Sequence, residues 1–260
     1  RWQSALAARL LALRSEAGTR HLWALATRLS AGMLTGTYEG GTLFQGLRLR
    51  DVVFASGATR VTVDRIDSSW NTAWSARRWH VAWLRIGKVD MQLGPSEPST
   101  TPAKMPNSLE LPLAIDVDVL TLERLTLRTS PARTAQPMVF SGLAGALHSD
   151  GQRHRVVVDR LETPYGKLAA NAQIAAKAPF ALSAQALLEA SWQKEAFAIS
   201  ADAQGSLEAL RAELEANGER IRARATADVT PFGKVPFTHL LVDGERINPR
   251  LFSPSRRRRT

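Results

Sequence analysis

Asp116 and Asp118 stand two residues apart in the stretch LPLAIDVDVLTLERLTL, residues 111–127. In an extended chain that spacing puts both carboxylates on one face. There a pair could hold a cation or share acid–base work, and on the wet side of a strand the same pair is simply solvated. The histidines His21, His80, His148, His154 and His239 have no partner at metal-ligand spacing, and no HExxH run occurs. His148 and His154 flank the turn SDGQR and are expected in solvent. The chain has no P-loop, no GxGxxG fingerprint and no GxSxG elbow, and its glycines fall at turns rather than in a phosphate cradle. These residues give enzyme chemistry no footing, and no catalytic residue, metal site or cofactor is expected. Trp70, Trp74, Trp79 and Trp83, with Arg77 and Arg78 among them, allow two readings. They could form a cation–π cage for a ligand, or they could fill a core where helix meets sheet. Trp70 and Trp74, four apart, suit a short helical turn.

The elements that must carry these residues are mostly strands. In 111–127 the apolar residues Leu111, Leu113, Ile115, Val117 and Val119 alternate with polar ones, the period of a half-buried strand. An ordinary strand has about five or six residues, and this alternation runs far longer. It breaks at Thr121 and Glu123, where Leu120 and Leu122 take the other phase, so a bulge or bend is expected there. GLRLRDVVFAS, from Gly46, shows a phase slip between Leu49 and Val52, as a bulge would produce. A turn at Ser56-Gly57 then leads to Val61 and Val63, closing a hairpin. Trp79, Val81 and Trp83 alternate, followed by Val89, Met91 and Leu93. Residues 94–108, GPSEPSTTPAKMPNS, form a Pro/Ser/Thr-rich surface loop. After Leu127, turn signals recur every ten to fifteen residues between strand-like segments, which predicts an antiparallel meander and argues against βαβ units. SLEALRAELEANGERIRARATADV reads as a helical turn at Ser206–Leu210 and then two strands with a turn at Asn217-Gly218.

Helix is expected only at the start. Leu6, Leu10 and Leu13, then Leu22, Leu25 and Leu29, recur at helical spacing. Ser15 or Thr19 could cap a second helix, and Gly18 marks a bend between the two. Trp23 is read as core. Arg9 and Arg14 interrupt the first apolar run, so it falls short of a membrane span, and no cleavage site follows it.

The composition is that of a folded protein: 44% hydrophobic, 22% charged, without cysteine, so disulfides and thiolate metal sites are excluded. The net charge of +10 admits a nucleic-acid partner or an anionic membrane surface. Part of it is the run Arg256–Arg259, and no aromatic–basic nucleic-acid motif accompanies the rest. The expected organisation is a helical segment over 1–33, a β-sheet domain over 34–254 with the loop 94–108, and a basic tail over 255–260.

The order of these segments carries a resemblance. An amphipathic helix precedes YEGGTLFQGLRLRDVVFASGATRVTVDRIDSSW. WLRIGKVDMQL, the Pro-rich loop, LPLAIDVDVLTLERLTL, VVVDRLETPYGKLAANAQI and VDGERINPRLFSP follow. Together they resemble the N-terminal part of the TamB family, the translocation and assembly module subunit of the AsmA-like group. The resemblance implies an inner-membrane anchor and a periplasmic body of a Gram-negative bacterium. It implies a long curved antiparallel β-sheet, a taco-like trough with a hydrophobic groove. It also implies phospholipid transport between membranes or outer-membrane protein assembly, with an Omp85-type barrel as partner through C-terminal parts beyond this chain.

The residues add their own argument for a groove. Long strands with one apolar face and no covering helices must close on themselves or leave that face open. In an open trough each buried acyl methylene contributes about 0.8 kcal/mol. The groove positions expected are Leu111, Leu113, Ile115, Val117 and Val119, joined by Val61, Val63, Val89 and Met91. The alternatives are a closed structural or adhesive β-sandwich that carries no lipid and, on charge alone, nucleic-acid binding.

Overall fold

The computed structural model describes residues 15–73, 77–94, 105–129, 136–192, 195–219, 221–233 and 237–244. Its one helix among these, α1 (Glu16–Leu29), is capped by Ser15, whose Oγ accepts from the Gly18 amide. Glu16 in the first turn and Arg28 in the last complement the helix dipole. Gly18 therefore lies inside the helix and marks no bend, and the first of the two expected helices lies outside the described residues. Trp23 is half-buried and its Nε1 donates to the Gly36 carbonyl at 3.0 Å.

Thirteen strands follow: β1 (Leu34–Thr42), β2 (Gly46–Ser56), β3 (Thr59–Ala73), β4 (Arg78–Gln92), β5 (Ala114–Arg128), β6 (Met138–Ser149), β7 (Arg153–Thr163), β8 (Gly166–Ala175), β9 (Ala181–Trp192), β10 (Glu195–Ser206), β11 (Leu210–Gly218), β12 (Arg222–Val229) and β13 (Phe237–Gly244). They form one long, open, curved sheet in sequence order, about 58 Å across at the usual strand spacing. The turn after Ser56 joins β2 to β3 as expected, and β11 and β12 are joined across Gly218–Ile221.

Three local expectations fail. Trp70 is part of strand β3 and not of a helical turn, and Trp74 lies outside the described residues. Ser206–Leu210 is a hairpin turn, closed by Ser206 N–H donating to Ala209 O and by two amides on Ser206 Oγ. The meander is also not antiparallel throughout: β4 and β5 pair in parallel. A parallel partner requires the chain to return the length of a strand between Gln92 and Ala114; most of the expected loop 94–108, residues 95–104, lies outside the described residues. Leu93 N–H donates to Arg128 O at one end of the crossover, and Ala114 N–H to Arg77 O at the other. Leu109 and Leu111 are tied to Ala176 O and Gly151 O, in the turns beyond β8 and β6. Leu111 and Leu113 are thus loop residues that precede strand β5.

The two sheet edges differ. Along β1 lies α1: Glu16 Oε1 accepts from Gly41 N–H at 2.9 Å, Thr19 Oγ1 from Leu43 N–H at 3.3 Å, and Arg20 stands over the Tyr38 ring. Burial raises the Tyr38 pKa, and the Glu16 charge adds to the shift. Among the described residues β13 has β12 on one side and no strand on the other.

Candidate functional site

The strand register sets apolar residues opposite one another in rows that cross the sheet. Directly opposed residues share a face, so each row is a line on one surface. One row runs Trp70, Val81, Val117, Leu147, Val156, Ala172, Ala184, Ala203, Ala212, Ala227 and Leu240, from β3 to β13. The next runs Leu84, Leu120, Gly145, Val158, Ala170, Ala186, Ala201, Leu214, Ala225 and Val242, from β4 to β13.

Four of the expected positions meet near the other strand ends. Val63 and Val89 face each other between Val52 and Leu125, and Val61 and Met91 do so between Phe54 and Leu127. Ile115 stands between Trp79 and Ser149. Val119 belongs to none of the rows. In β5 the apolar positions step from Val117 to Leu120, with a register shift against β6 between them, and both Asp118 and Val119 are exposed. This break falls before the bulge expected at Thr121 and Glu123, and the next one spans Glu123.

A second three-residue step, Leu122 to Leu125, is matched in neighbouring strands: Ile86 to Val89, Val63 to Ile66 and Leu49 to Val52. Asp51 supplies the extra residue in β2, at φ 50°, and Leu49 and Val52 on either side of it are both buried. Because the strands step together, their partners stay in register.

Side-chain size changes along the rows. Apart from Gly145, Trp, Val and Leu fill them in β3–β7, and alanine dominates from β8 to β12. Val81 is 5% and Val117 7% exposed, whereas Val156 in β7 is 43% exposed. The small half is a low floor with Leu168, Leu188 and Ile199 beside it. Leu214 in β11 is 38% exposed, and Leu240 and Val242 in β13 reach 64% and 58%. Few apolar side chains among the described residues are fully buried; Phe180 and Ala176, in the turn between β8 and β9, are two of them. Among the described residues no second layer covers the strands.

The opposite face is ionic. Arg78 pairs with Asp116, which His148 also approaches at 3.4 Å, and His80 pairs with Asp118 at 2.7 Å. Asp116 and Asp118 therefore share a face and sit in a cross-strand ladder. Arg224 pairs with Glu215, and that hydrogen bond raises the Arg224 pKa. In the β6–β7 turn the amides of Gln152 and Arg153 donate to Asp150 and lower its pKa. A surface hollow of about 610 Å³ has Asn171, Gln185, Asp202, Glu213 and Glu215 of this face in its lining, together with Val158, Ala170, Ala186 and Ala201 of the second row. No group of three metal-ligating side chains converges among the described residues.

His154 is not in solvent as expected. It is half-buried, with Nδ1 2.7 Å from Ser149 Oγ and Nε2 2.9 Å from Leu109 O, so it ties the crossover to the sheet. His148 is exposed. The tryptophans are divided as well. Trp70 and Trp79 pack edge to face at 5.3 Å, and Arg85 stacks over Trp83 at 4.7 Å.

The alanine floor is the part that sequence reading missed. Its signal is alanine at alternate positions, at 170 and 172, 184 and 186, 201 and 203, and 223, 225 and 227. No family model matches the chain, and neither a curated protein nor a solved structure does.

Proposed function

We propose that this chain is a non-enzymatic, lipid-holding segment of a TamB-like protein, periplasmic and close to the inner membrane. Acyl chains lie along the apolar face of the sheet, which curves into a trough around them. The segment serves phospholipid transport between the inner and outer membranes, or outer-membrane protein assembly. An Omp85-type barrel would be engaged by C-terminal parts beyond this chain. The observation that carries the reading is the pair of apolar rows reaching β13, floored by alanine from β8 to β12, with Val156, Leu214, Leu240 and Val242 exposed along them. A surface of that kind needs no specific polar contact to hold a hydrocarbon tail. Removing each methylene from water contributes about 0.8 kcal/mol.

The burial of Val81 and Val117 favours a second reading, a scaffold whose apolar face packs on itself. Lipid extraction and mass spectrometry of the purified chain separate the two. Phospholipid is expected to co-purify in stoichiometric amount, and a self-packed scaffold would carry none.

A further inference from the structure

We infer that the trough is shut along one lip and that the head groups of bound phospholipid leave by the other; the inference rests on the lipid-holding reading. The strand ends form the two lips. At one stand the turns after β1, β6, β8 and β10 with the start of β5, and at the other the turns after β2, β7, β9 and β11. Lateral backbone hydrogen bonds tie the first lip together. Leu207 N–H donates to Phe180 O, Leu109 N–H to Ala176 O, Ala176 N–H to Gln152 O, Leu111 N–H to Gly151 O and Ala114 N–H to Arg77 O. These bonds lead from the turn after β10 to the start of β4. Residues 109–113 therefore cross the strand ends as a strap, and Glu110 adds an ion pair to Lys177 at 3.2 Å.

The strap lies toward the apolar side. Ile115, Ser149, His154, Ile174 and Leu182 form a cross-strand row on the same face as Val117. His154 of that row reaches Leu109 O at 2.9 Å. Burial is most complete beside the strap: Ser149 is 4% exposed, and Ala176 and Phe180 are 0% exposed. A charged head group taken out of water without partners costs far more than a methylene gains, so it does not leave through this lip. At the other lip, among the described residues, lateral backbone bonds stop within the first five strands, with Ala55 N–H on Met33 O and Leu93 N–H on Arg128 O. In the turn after β7 the hydrogen bonds of Thr163, Tyr165 and Gly166 stay inside the turn, and Tyr165 is 70% exposed. This untied lip borders the alanine floor that begins at β8. Exposed turns with few ties open at a lower free-energy cost than tied ones, so the lip that releases head groups is also the lip that admits the lipid.

The chain has no cysteine, so single labels report the two lips. Gln152→Cys and Tyr165→Cys each place a fluorophore on an exposed turn, at opposite ends of β7. At about 3.3 Å per residue the two positions stand about 40 Å apart. A phospholipid carrying a nitroxide on its head group should quench the label at 165 several-fold more than the label at 152. Leu109→Pro combined with Leu111→Pro removes the two amide donors of the strap and should raise quenching at 152 toward the value at 165. Equal or greater quenching at 152 with the strap unaltered, or an asymmetry that survives both prolines, overturns the inference. A phospholipid carrying its nitroxide on the acyl chain, read at Leu214→Cys, checks the lipid-holding reading by itself. Quenching at 214 without asymmetry between 152 and 165 overturns the sidedness alone. No quenching at 214 removes the lipid-holding reading and this inference with it.

Discussion

At the residue scale, Trp70 and Trp79 show how two neighbouring side chains of one type take different roles. Trp70 Nε1 donates to Leu43 O at 2.9 Å, and Trp79 Nε1 is buried without a hydrogen-bond partner. Phenylalanine removes similar volume at either place, so the comparison isolates the polar atom. Trp70→Phe should cost about 1–2 kcal/mol more than Trp79→Phe in chemical denaturation, because only the first leaves a carbonyl that loses its donor. Equal losses would show that packing alone governs both. The alternation of Ile115 and Val117 was legible because those residues follow the period of the strand. Val119 keeps the same period and leaves the row, since the bulge at that point is defined by the register against β6. The turn sequence places His154 in solvent; its half-buried partner Leu109 is forty-five positions away in sequence, so no local signal shows the contact.

At the element scale, most strands and hairpins were legible because short turn signals separate alternating segments. The direction of β5 was not. The composition of 94–108 reads as a linker and says nothing of direction; the parallel pairing of β5 with β4 comes from register, with Leu109 and Leu111 docked on distant turns. The alternation through Leu111 and Leu113 imitates a strand, although their stretch hydrogen-bonds to other hairpins rather than to a ladder. Close packing between strands also makes firm demands at turns. Gly46 has φ 124°, and a Cβ there would overlap the Ser68 carbonyl of β3, whereas a Cβ at Gly57 meets nothing within 4 Å. Gly46→Ala should therefore destabilise the protein by about 3 kcal/mol or more, and Gly57→Ala by about 1–2 kcal/mol from its left-handed backbone alone. Thermal or urea unfolding of the two variants checks the order. Similar losses would mean that β2 and β3 can separate at Gly46 without penalty.

At the scale of the whole molecule, a thirteen-stranded sheet with few fully buried side chains is stabilised strand by strand, and among the described residues neither a helix nor a second sheet covers its apolar face. The predominance of β-structure was legible from period and turn spacing. The extent of the apolar surface was not, because rows are made by register between strands that are separate in sequence, and alanine carries little hydrophobic signal by itself. The central claim is that lipid lies on the apolar face, and neighbouring positions on one strand test it with fold and expression held constant. A photo-crosslinking residue at Leu214 points into the alanine-floored rows, and one at Glu213 points to the ionic side. Irradiation of the expressing cells followed by mass spectrometry should find phospholipid attached at 214 and none at 213. Absence of lipid at 214, or equal capture at both positions, would contradict the assignment.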